Sequence, residues 1–217
     1  LAIQAAAGRR KQLLIADMDS TMIQQECIDE LADEAGVGAH VAGITARAMN
    51  GELDFAQSLL ARVQTLAGAP ESVLSDVLQQ LPLMPGLTDL VAVLQQHQWQ
   101  VAIASGGFTY FTEALKQQLG LTATFANVLE IVDAKLTGKV LGDIVDATTK
   151  ANVVAELATQ YGITATQTVA IGDGANDIPM LNAAALGVAF HAKPKVQAQA
   201  KAAIRKGSLL QLLYLLD

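Results

Sequence analysis

An apolar run that ends in two aspartates limits the folds open to this chain more than any other feature. Residues 13–16 are all apolar, and Asp17 and Asp19 follow them directly. Side chains alternate along a strand, so both carboxylates project from one face at the carboxyl end of a buried strand. A second apolar run, residues 168–171, leads in a similar way to Asp173. Carboxylates gathered at one sheet edge need a cation, and hard oxygen ligands favour Mg²⁺.

Length and composition place the chain among globular proteins. With 217 residues, 52% of them hydrophobic, it can form one domain, or one domain with a modest insertion. A net charge of −7 without a cluster of lysines and arginines argues against nucleic acid or an anionic membrane as a partner. The single cysteine, Cys27, cannot form an intramolecular disulfide, and no signal peptide or membrane-length apolar span is evident. The expected location is the cytoplasm.

The order of the apolar runs predicts an α/β fold, with a Rossmann-like parallel sheet and helices on both faces. The predicted strands are residues 13–16, 100–104, 168–171 and 187–190. Residues 24–83 show helical patterns and no comparable strand signal, so we interpret them as an inserted helical cap. Residues 12–23 and 84–217 then form the core domain, with a small β-hairpin within residues 125–144. Residues 1–11 are interpreted as a lead-in, consistent with a remnant of a longer chain.

Apolar residues spaced three or four apart indicate several helices. One stripe comprises residues 28, 31, 32 and 35, a second residues 55, 59, 63 and 66, and a third residues 87, 90, 91 and 94. A fourth comprises residues 108, 111, 115 and 119, after which Gly120 is expected to end the helix as its C′ residue. The leucine-rich residues 209–216 are too few to cross a bilayer and are expected to form a helix that closes the core.

Two further features indicate an anion site. The second predicted strand leads to Ser105, Gly106 and a second glycine. Glycine backbone can approach a ligand closely, and the residues are expected to begin a helix whose N-terminal N–H groups favour an anion. Lys150 falls in the first turn of another predicted helix, for which Thr148 or Thr149 is the expected N-cap. A lysine in that position opposes the helix dipole, and a bound phosphoryl group would reverse this effect.

Each feature alone has a simpler explanation. An Asp-x-Asp pair at a strand end also serves capping or turns, and the run from Gly172 to Asp177 could be an ordinary turn. That run lacks the third glycine of a dinucleotide-binding fingerprint. Ser105 alone indicates a strand-to-helix turn, and Lys150 alone a solvated surface lysine. Cys27 is expected to be a packed residue, and the three histidines are too scattered to predict a metal cluster. The functional interpretation depends on these features occurring together.

In combination, the motifs resemble the four signatures of the haloacid dehalogenase superfamily of phosphotransferases. The matching positions are Asp17 to Thr21, Ser105 to Phe108, Lys150, and Gly172 to Asp177, and the resemblance covers nearly the whole chain. Further positions resemble the family within it that hydrolyses phosphoserine. They are Glu26 shortly after the first motif, residues 54–59 leading to Arg62, and residues 192–194. Met18 and Ala56 depart from the family pattern, where an aromatic residue and an acid are frequent.

The resemblance implies a role for each motif residue. Asp17 would be the nucleophile that forms an aspartyl-phosphate, and Asp19 the acid that protonates the leaving oxygen and then activates water. Mg²⁺ would be bound by Asp17, Asp173 and the backbone carbonyl of Asp19. Asp177 would support the water shell of the metal, and Asn176 would order the substrate site. Ser105, Gly106 and Lys150 would hold the phosphoryl oxygens.

The resemblance also implies how the cap selects its substrate. Glu26 would face the ammonium group of phosphoserine and Arg62 its carboxylate, while Met49 and Phe55 would close the site. From the residues alone, Glu26 is a solvated carboxylate at a helix start. Arg62 lies beside an apolar stripe, where its guanidinium either extends into solvent or meets a carboxylate.

The activity implied is hydrolysis of O-phospho-L-serine, the last step of serine biosynthesis, by a cytoplasmic monomer or homodimer. One alternative is a related phosphatase or phosphotransferase that acts on another small phosphometabolite. A second is a phospho-accepting signalling module similar to response-regulator receivers, which also use acids, Mg²⁺ and a lysine. Receivers are shorter and have no inserted cap.

Overall fold

The fold is α/β, as predicted: the computed structural model describes residues 11–216, which contain one seven-stranded sheet in the order β4-β3-β2-β1-β5-β6-β7. Every neighbouring pair is parallel except β3 with β4. The strands are β1 Leu13–Ala16, β2 Gln100–Phe108, β3 Ala123–Val132, β4 Lys135–Leu141, β5 Thr168–Gly172, β6 Leu186–Phe190 and β7 Ala202–Ile204.

The described residues also contain nine α-helices and three short 3₁₀ helices, the latter at residues 165–167, 175–177 and 209–215. The α-helices are α1 Cys27–Glu34, α2 Gly38–Met49, α3 Phe55–Thr65, α4 Ser72–Gln80, α5 Leu87–Gln96, α6 Thr109–Leu119, α7 Ala147–Gln160, α8 Ile178–Ala183 and α9 Pro194–Gln197. Alternate residues of β1 belong to two separate hydrophobic clusters, with Leu14 in one and Leu13 in the other. Helices α5 and α6 pack in the first cluster and α7 and α8 in the second, so the sheet is covered on both faces as predicted.

The register of the central strands brings the polar loops to one level. Strand β1 lies between β2 and β5, and Ala16 is paired with both Ile103 and Ile171. The backbone N–H of Asp17 extends this pairing by donating to the carbonyl of Ile171. Because parallel strands end at the same edge, the residues that follow β1 and β5 and those at the end of β2 lie side by side, where open α/β sheets bind ligands.

Helices α1–α4 lie between β1 and α5 and form a four-helix insertion. Its two connections run together, since Gln24 N–H donates to Pro82 O and Met84 N–H donates to Met22 O. The predicted apolar stripes face inward, as Leu31 of α1 and Leu59 of α3 are buried. The helical character of residues 24–83 is therefore confirmed, and their assignment as a separate cap domain stays a prediction.

The predicted hairpin is present as β3 and β4, and β3 also extends the parallel sheet beside β2. Gly120 ends α6 in the left-handed conformation, with φ of 65°, as expected for a C′ glycine. The predicted helix at residues 209–216 is present as a 3₁₀ helix that buries Leu209 and Leu212. Strand β7, only three residues long, was not predicted.

Two local predictions are wrong. Helix α7 begins after Asp146, whose side chain accepts a hydrogen bond of 2.8 Å from Thr149 N–H, so neither threonine is the N-cap. Strand β2 continues to Phe108, so Ser105 lies within the strand and does not open a helix. The predicted lead-in lies outside the described residues except for Lys11, which is buried and donates to Thr166 O. Within residues 11–216, no helix combines the length and apolar character needed to cross a membrane.

Candidate active site

Three carboxylates converge at the carboxyl edge of the sheet. Oxygens of Asp17, Asp173 and Asp177 all lie within 4.8 Å of one another. Asp17 and Asp173 follow β1 and β5, and Asp177 ends the 3₁₀ turn after β5. Gly172 permits the close approach of Asp177, because a Cβ there would lie 2.5 Å from the Asp177 carboxyl carbon. The residues present are hard oxygen donors in a compact group, which is the donor set of an Mg²⁺, Mn²⁺ or Ca²⁺ site.

Lys150 is the positive charge at this cluster. Its Nζ lies 2.8 Å from Oδ1 of Asp17 and 2.8 Å from Oδ1 of Asp177. The side chain is fully buried, so the interpretation of Lys150 as a surface lysine is wrong. Burial lowers the pKa of Lys150, but its two carboxylate partners outweigh that effect and raise the pKa overall. The lysine therefore stays charged at neutral pH.

One lysine does not balance three carboxylates. Burial raises the pKa of Asp17 well above its usual range, and the charge of Asp177 raises it further, while Lys150 acts in the opposite direction. Burial and the charge of Asp177 raise the pKa of Asp173 to about 7. A bound cation would remove this imbalance by favouring the ionised forms. The electrostatics thus support a metal site at this cluster.

Asp19 is not part of the cluster of three carboxylates. Its Oδ1 accepts a hydrogen bond of 3.1 Å from Cys27 N–H, the first residue of α1. Burial and the charge of Glu26 raise the pKa of Asp19 to about 7. On the other side, a Cβ at Gly107 would lie 2.8 Å from Oδ2 of Asp19, so only glycine fits there without displacement. Asp19 therefore has its own environment, suited to exchanging a proton near neutral pH.

Gly106 lies in the wall of the site at the end of β2, with Ser105 buried behind it. The Ser105 hydroxyl is buried and accepts a hydrogen bond of 2.9 Å from Gly107 N–H. Buried Asn127 donates to Gly106 O at 2.8 Å and accepts from Val145 N–H at 2.9 Å, so it ties the end of β2 to the loop that precedes α7. The sequence interpretation missed Asn127, although a lone asparagine inside an apolar strand was an available signal.

The pocket above these groups has a volume of about 530 Å³, part of which is open to solvent. Its walls comprise Asp17, Asp19, Glu26, Ile28, Phe55, Leu59, Arg62, Gly106, Gly107, Phe108, Asp173, Gly174 and Asn176. Most predicted site residues are thus brought together. Ser105, Lys150 and Asp177 lie buried behind the wall. Met49, at the end of α2, is 70% exposed and does not line the pocket.

Glu26 and Arg62 place opposite charges on the part of the pocket wall that the four-helix insertion contributes. Glu26 is exposed at the start of α1, and the Ser20 hydroxyl donates to its Oε1 at 2.8 Å. Arg62 of α3 is half-buried, and its Nε donates to Ser58 O at 3.4 Å. Neither charge forms an ion pair within residues 11–216. Both remain available to a ligand that carries an ammonium and a carboxylate.

Comparison with known proteins agrees with this geometry. Residues 14–182 match the family of haloacid dehalogenase-like hydrolases. A phosphoserine phosphatase from Vibrio cholerae is 59% identical over 197 residues, which are 91% of this chain and 60% of that protein. One from Haemophilus influenzae is 56% identical and covers 94% of this chain and 65% of its own length. One from Idiomarina loihiensis is 48% identical and covers 93% and 91%.

Solved structures give the same result. The unliganded crystal structure of a probable phosphoserine phosphatase from Vibrio cholerae has a TM-score of 0.88 at 56% identity, covering 96% of this chain and 65% of that chain. A substrate-bound phosphoserine phosphatase complex has a TM-score of 0.88 at 39% identity, covering 94% and 97%.

The chain spans less than two thirds of the length of several relatives, such as those from Vibrio and Haemophilus, and most of the length of others, such as that from Idiomarina. The match to the family extends from β1 to α8, and it therefore includes the three clustered aspartates and Lys150. The chain belongs to the haloacid dehalogenase-like hydrolase family, in the group whose named members are phosphoserine phosphatases.

Proposed function

We propose that this protein hydrolyses O-phospho-L-serine to L-serine and phosphate, the last step of serine biosynthesis. The observation that carries the proposal is the pair of opposite charges, Glu26 and Arg62, that faces the pocket beyond Asp17. Phosphoserine presents an ammonium and a carboxylate at one end and a phosphoryl group at the other. Its two charged ends match the two charged parts of the pocket.

Asp17 is the proposed nucleophile. Its Oδ1 is already occupied, because it accepts the Met18 N–H at 2.8 Å and pairs with Lys150. Oδ2 is therefore the oxygen that attacks phosphorus and forms the aspartyl-phosphate, as the phosphorus–oxygen bond to serine breaks. Lys150 holds the carboxylate in a fixed orientation and offsets the negative charge of the transferred group.

Asp19 is the proposed acid and base. With a pKa of about 7, it is substantially protonated near neutral pH and can give a proton to the leaving serine oxygen. The resulting carboxylate then accepts a proton from the water that attacks the aspartyl-phosphate. The hydrogen bond from Cys27 N–H keeps this carboxyl group apart from the carboxylate cluster.

Mg²⁺ is the proposed metal, bound by the carboxylates of Asp17 and Asp173 and the backbone carbonyl of Asp19, with Asp177 supporting its water shell. The ion would supply charge neutralisation, which lets an anionic nucleophile approach an anionic phosphate. The substrate phosphoryl group is proposed to be held by Ser105, Gly106 and Lys150. Asn176 is proposed to order the substrate site.

Residues 24–83 are the proposed cap over a core of residues 12–23 and 84–217. Phe55 supports this role, because its ring lies against the backbone of Gly106 at the pocket wall. A closed pocket excludes water from the phosphoryl transfer. The net charge of −7 supports a small-molecule substrate and not nucleic acid, and the single buried cysteine fits a reducing cytoplasm. A monomer or a homodimer is proposed as the active form.

The test is phosphate release from L-phosphoserine with and without Mg²⁺, with para-nitrophenyl phosphate as a generic substrate. We expect rapid, Mg²⁺-dependent release with a strong preference for phosphoserine. Activity on the generic ester alone would redirect the search to another phosphometabolite. A long-lived aspartyl-phosphate without turnover would favour the signalling alternative.

Variants of the two charges sharpen the test. Arg62→Ala and Glu26→Gln should weaken phosphoserine turnover about tenfold or more while changing turnover of the aryl ester far less. Arg47→Ala is the matched control, because Arg47 is an exposed arginine of α2 that pairs with Glu52. This variant should leave both activities unchanged. Equal losses on both substrates would contradict recognition of the amino-acid end.

A further inference from the structure

The connection between α3 and α4 is paired with the β3–β4 hairpin. Gly68 N–H donates to Leu136 O at 2.8 Å, and Leu136 N–H donates to Ala69 O at 2.9 Å. A third bond of 2.8 Å runs from Glu71 N–H to Ala134 O. The connection therefore forms an isolated antiparallel bridge, Pro70 with Lys135, at the outer edge of β4, and backbone bonds join the insertion to the hairpin.

Gly138 of β4 lies directly against the end of α3. A Cβ at this position would be 2.8 Å from Cβ of Ala67 and 3.1 Å from the carbonyl oxygen of Gln64. Its φ of 82° is also in the region that favours glycine. Nearby Leu136 is buried. The hairpin and α3 thus meet in a close backbone contact that leaves no room for a side chain at Gly138.

The other end of the hairpin is fixed to the core. Strand β3 pairs with β2, and Asn127 bonds Gly106 at the wall of the pocket. Helix α3 has 11 residues, about 16 Å in length. Phe55, its first residue, and Arg62, in its last turn, both line the pocket, and its C-terminal end meets Gly138. The hairpin and α3 therefore form a continuous connection from the core beside Gly106 to Arg62 on the insertion.

We infer that the β3–β4 hairpin supports α3 and sets the position of Arg62 over the pocket, so that Gly138 is a positioning residue for substrate recognition. This inference deepens the proposed function and rests on it. Helix α3 cannot move away from the pocket unless the three backbone bonds break or the hairpin moves with it. A side chain at Gly138 pushes α3 outward, which displaces Arg62 and Phe55 but leaves the aspartates and Lys150 in place.

The test compares Gly138→Ala with Gly142→Ala in the full chain. Gly142 also has a positive φ, 73°, but an added Cβ there meets nothing within 4 Å, so it controls for backbone strain. Gly138→Ala should raise KM for phosphoserine about tenfold or more, because a shift of about 1 Å in a binding group has effects of this order. Turnover of para-nitrophenyl phosphate should stay within about threefold, since it does not use Arg62. Gly142→Ala should leave both unchanged.

A second variant approaches the same contact from the helix side. Ala67→Val adds bulk at an exposed position that faces Gly138, so the fold is retained, and it should raise KM for phosphoserine in the same direction. Unchanged KM in both Gly138→Ala and Ala67→Val would overturn the inference.

Amide hydrogen exchange provides a measurement that is independent of activity. The amides of Gly68, Leu136 and Glu71 should exchange faster in Gly138→Ala than in Gly142→Ala. A raised KM with unchanged exchange, or faster exchange with unchanged KM, would overturn the positioning role. If the unmodified protein does not hydrolyse phosphoserine, the proposed function fails. The support of α3 is then judged by whether exchange also accelerates at Ser58, in the first turn of that helix.

Discussion

Nζ of Lys150 lies between two carboxyl groups, 2.8 Å from Oδ1 of Asp17 and 2.8 Å from Oδ1 of Asp177. All three side chains are buried, so loss of the lysine would leave both carboxyl groups in the protein interior without their partner. The lysine thus has two roles: it stabilises the carboxylate edge of the sheet, and it orients the carboxyl group of Asp17, the proposed nucleophile.

Replacing Lys150 should therefore cost both stability and activity. Lys150→Met leaves two buried carboxylates without their partner, which should lower the free energy of unfolding by about 3–5 kcal/mol at neutral pH. Urea denaturation measures this loss. Lys116→Met, which removes an exposed pair with Glu113, is the control and should change stability by less than about 1 kcal/mol. Equal effects of the two variants would show that the buried pairs contribute no more than a surface pair.

Asp17→Asn should abolish turnover and keep the fold. The amide has nearly the size of the carboxylate but cannot attack phosphorus, so the rate should fall more than about a thousandfold. Asp143→Asn, an exposed exchange of the same type, should retain full activity. Mass spectrometry must show that the variant has not deamidated. A normal rate in an intact Asp17→Asn protein would rule out Asp17 as the nucleophile.

Gly106→Ala should distort the part of the pocket wall that Phe55 forms. An added Cβ would lie 2.6 Å from Cζ of the Phe55 ring, so the ring must move outward. We expect KM for phosphoserine to rise about tenfold, and the double variant Gly106→Ala with Phe55→Leu to recover part of that loss. Gly43→Ala, in helix α2 with no atom near the new Cβ, should be neutral or stabilising. A kinetic effect as large at Gly43 as at Gly106 would refute the contact.

Metal-free protein should lose stability as the pH rises from about 4 to about 7. Asp19 and Asp173 each have a pKa of about 7 in the folded protein, above the ordinary value of 3.8. The folded state therefore holds more protons than the unfolded state across this interval, so ionisation favours unfolding as pH increases. Urea midpoints measured in a chelator should fall over this range and then level off.

Added Mg²⁺ should reverse this trend, because the ion favours the ionised carboxylates and stabilises the folded protein most above pH 7. Asp173→Asn removes one of the titrating groups and should flatten the metal-free curve. A metal-free protein that becomes more stable between pH 5 and pH 7 would contradict the raised pKa values.

Much of the fold could be predicted because its signals are local. Four apolar runs became central strands, since strands buried on both faces have continuous apolar sequences. Three of them have bounds within one residue of those predicted, whereas β2 continues to Phe108. Strand β7 escaped prediction because three residues at a sheet edge carry too short a pattern. The start of α7 was placed two or three residues late, because Asp146 competes with the two threonines for the N-cap and only the backbone conformation decides among them.

The site divides in the same way between sequence and structure. The α/β fold class and the placement of Asp17, Ser105 and Asp173 at one sheet edge followed from sequence patterns, since parallel strands of one sheet end together. Three relationships could be read only from the folded chain: Lys150 is buried between two aspartates, Met49 lies outside the pocket, and Gly138 lies against the end of α3. These relationships join residues far apart in the chain, and no local pattern of side chains encodes which distant surfaces will pack together.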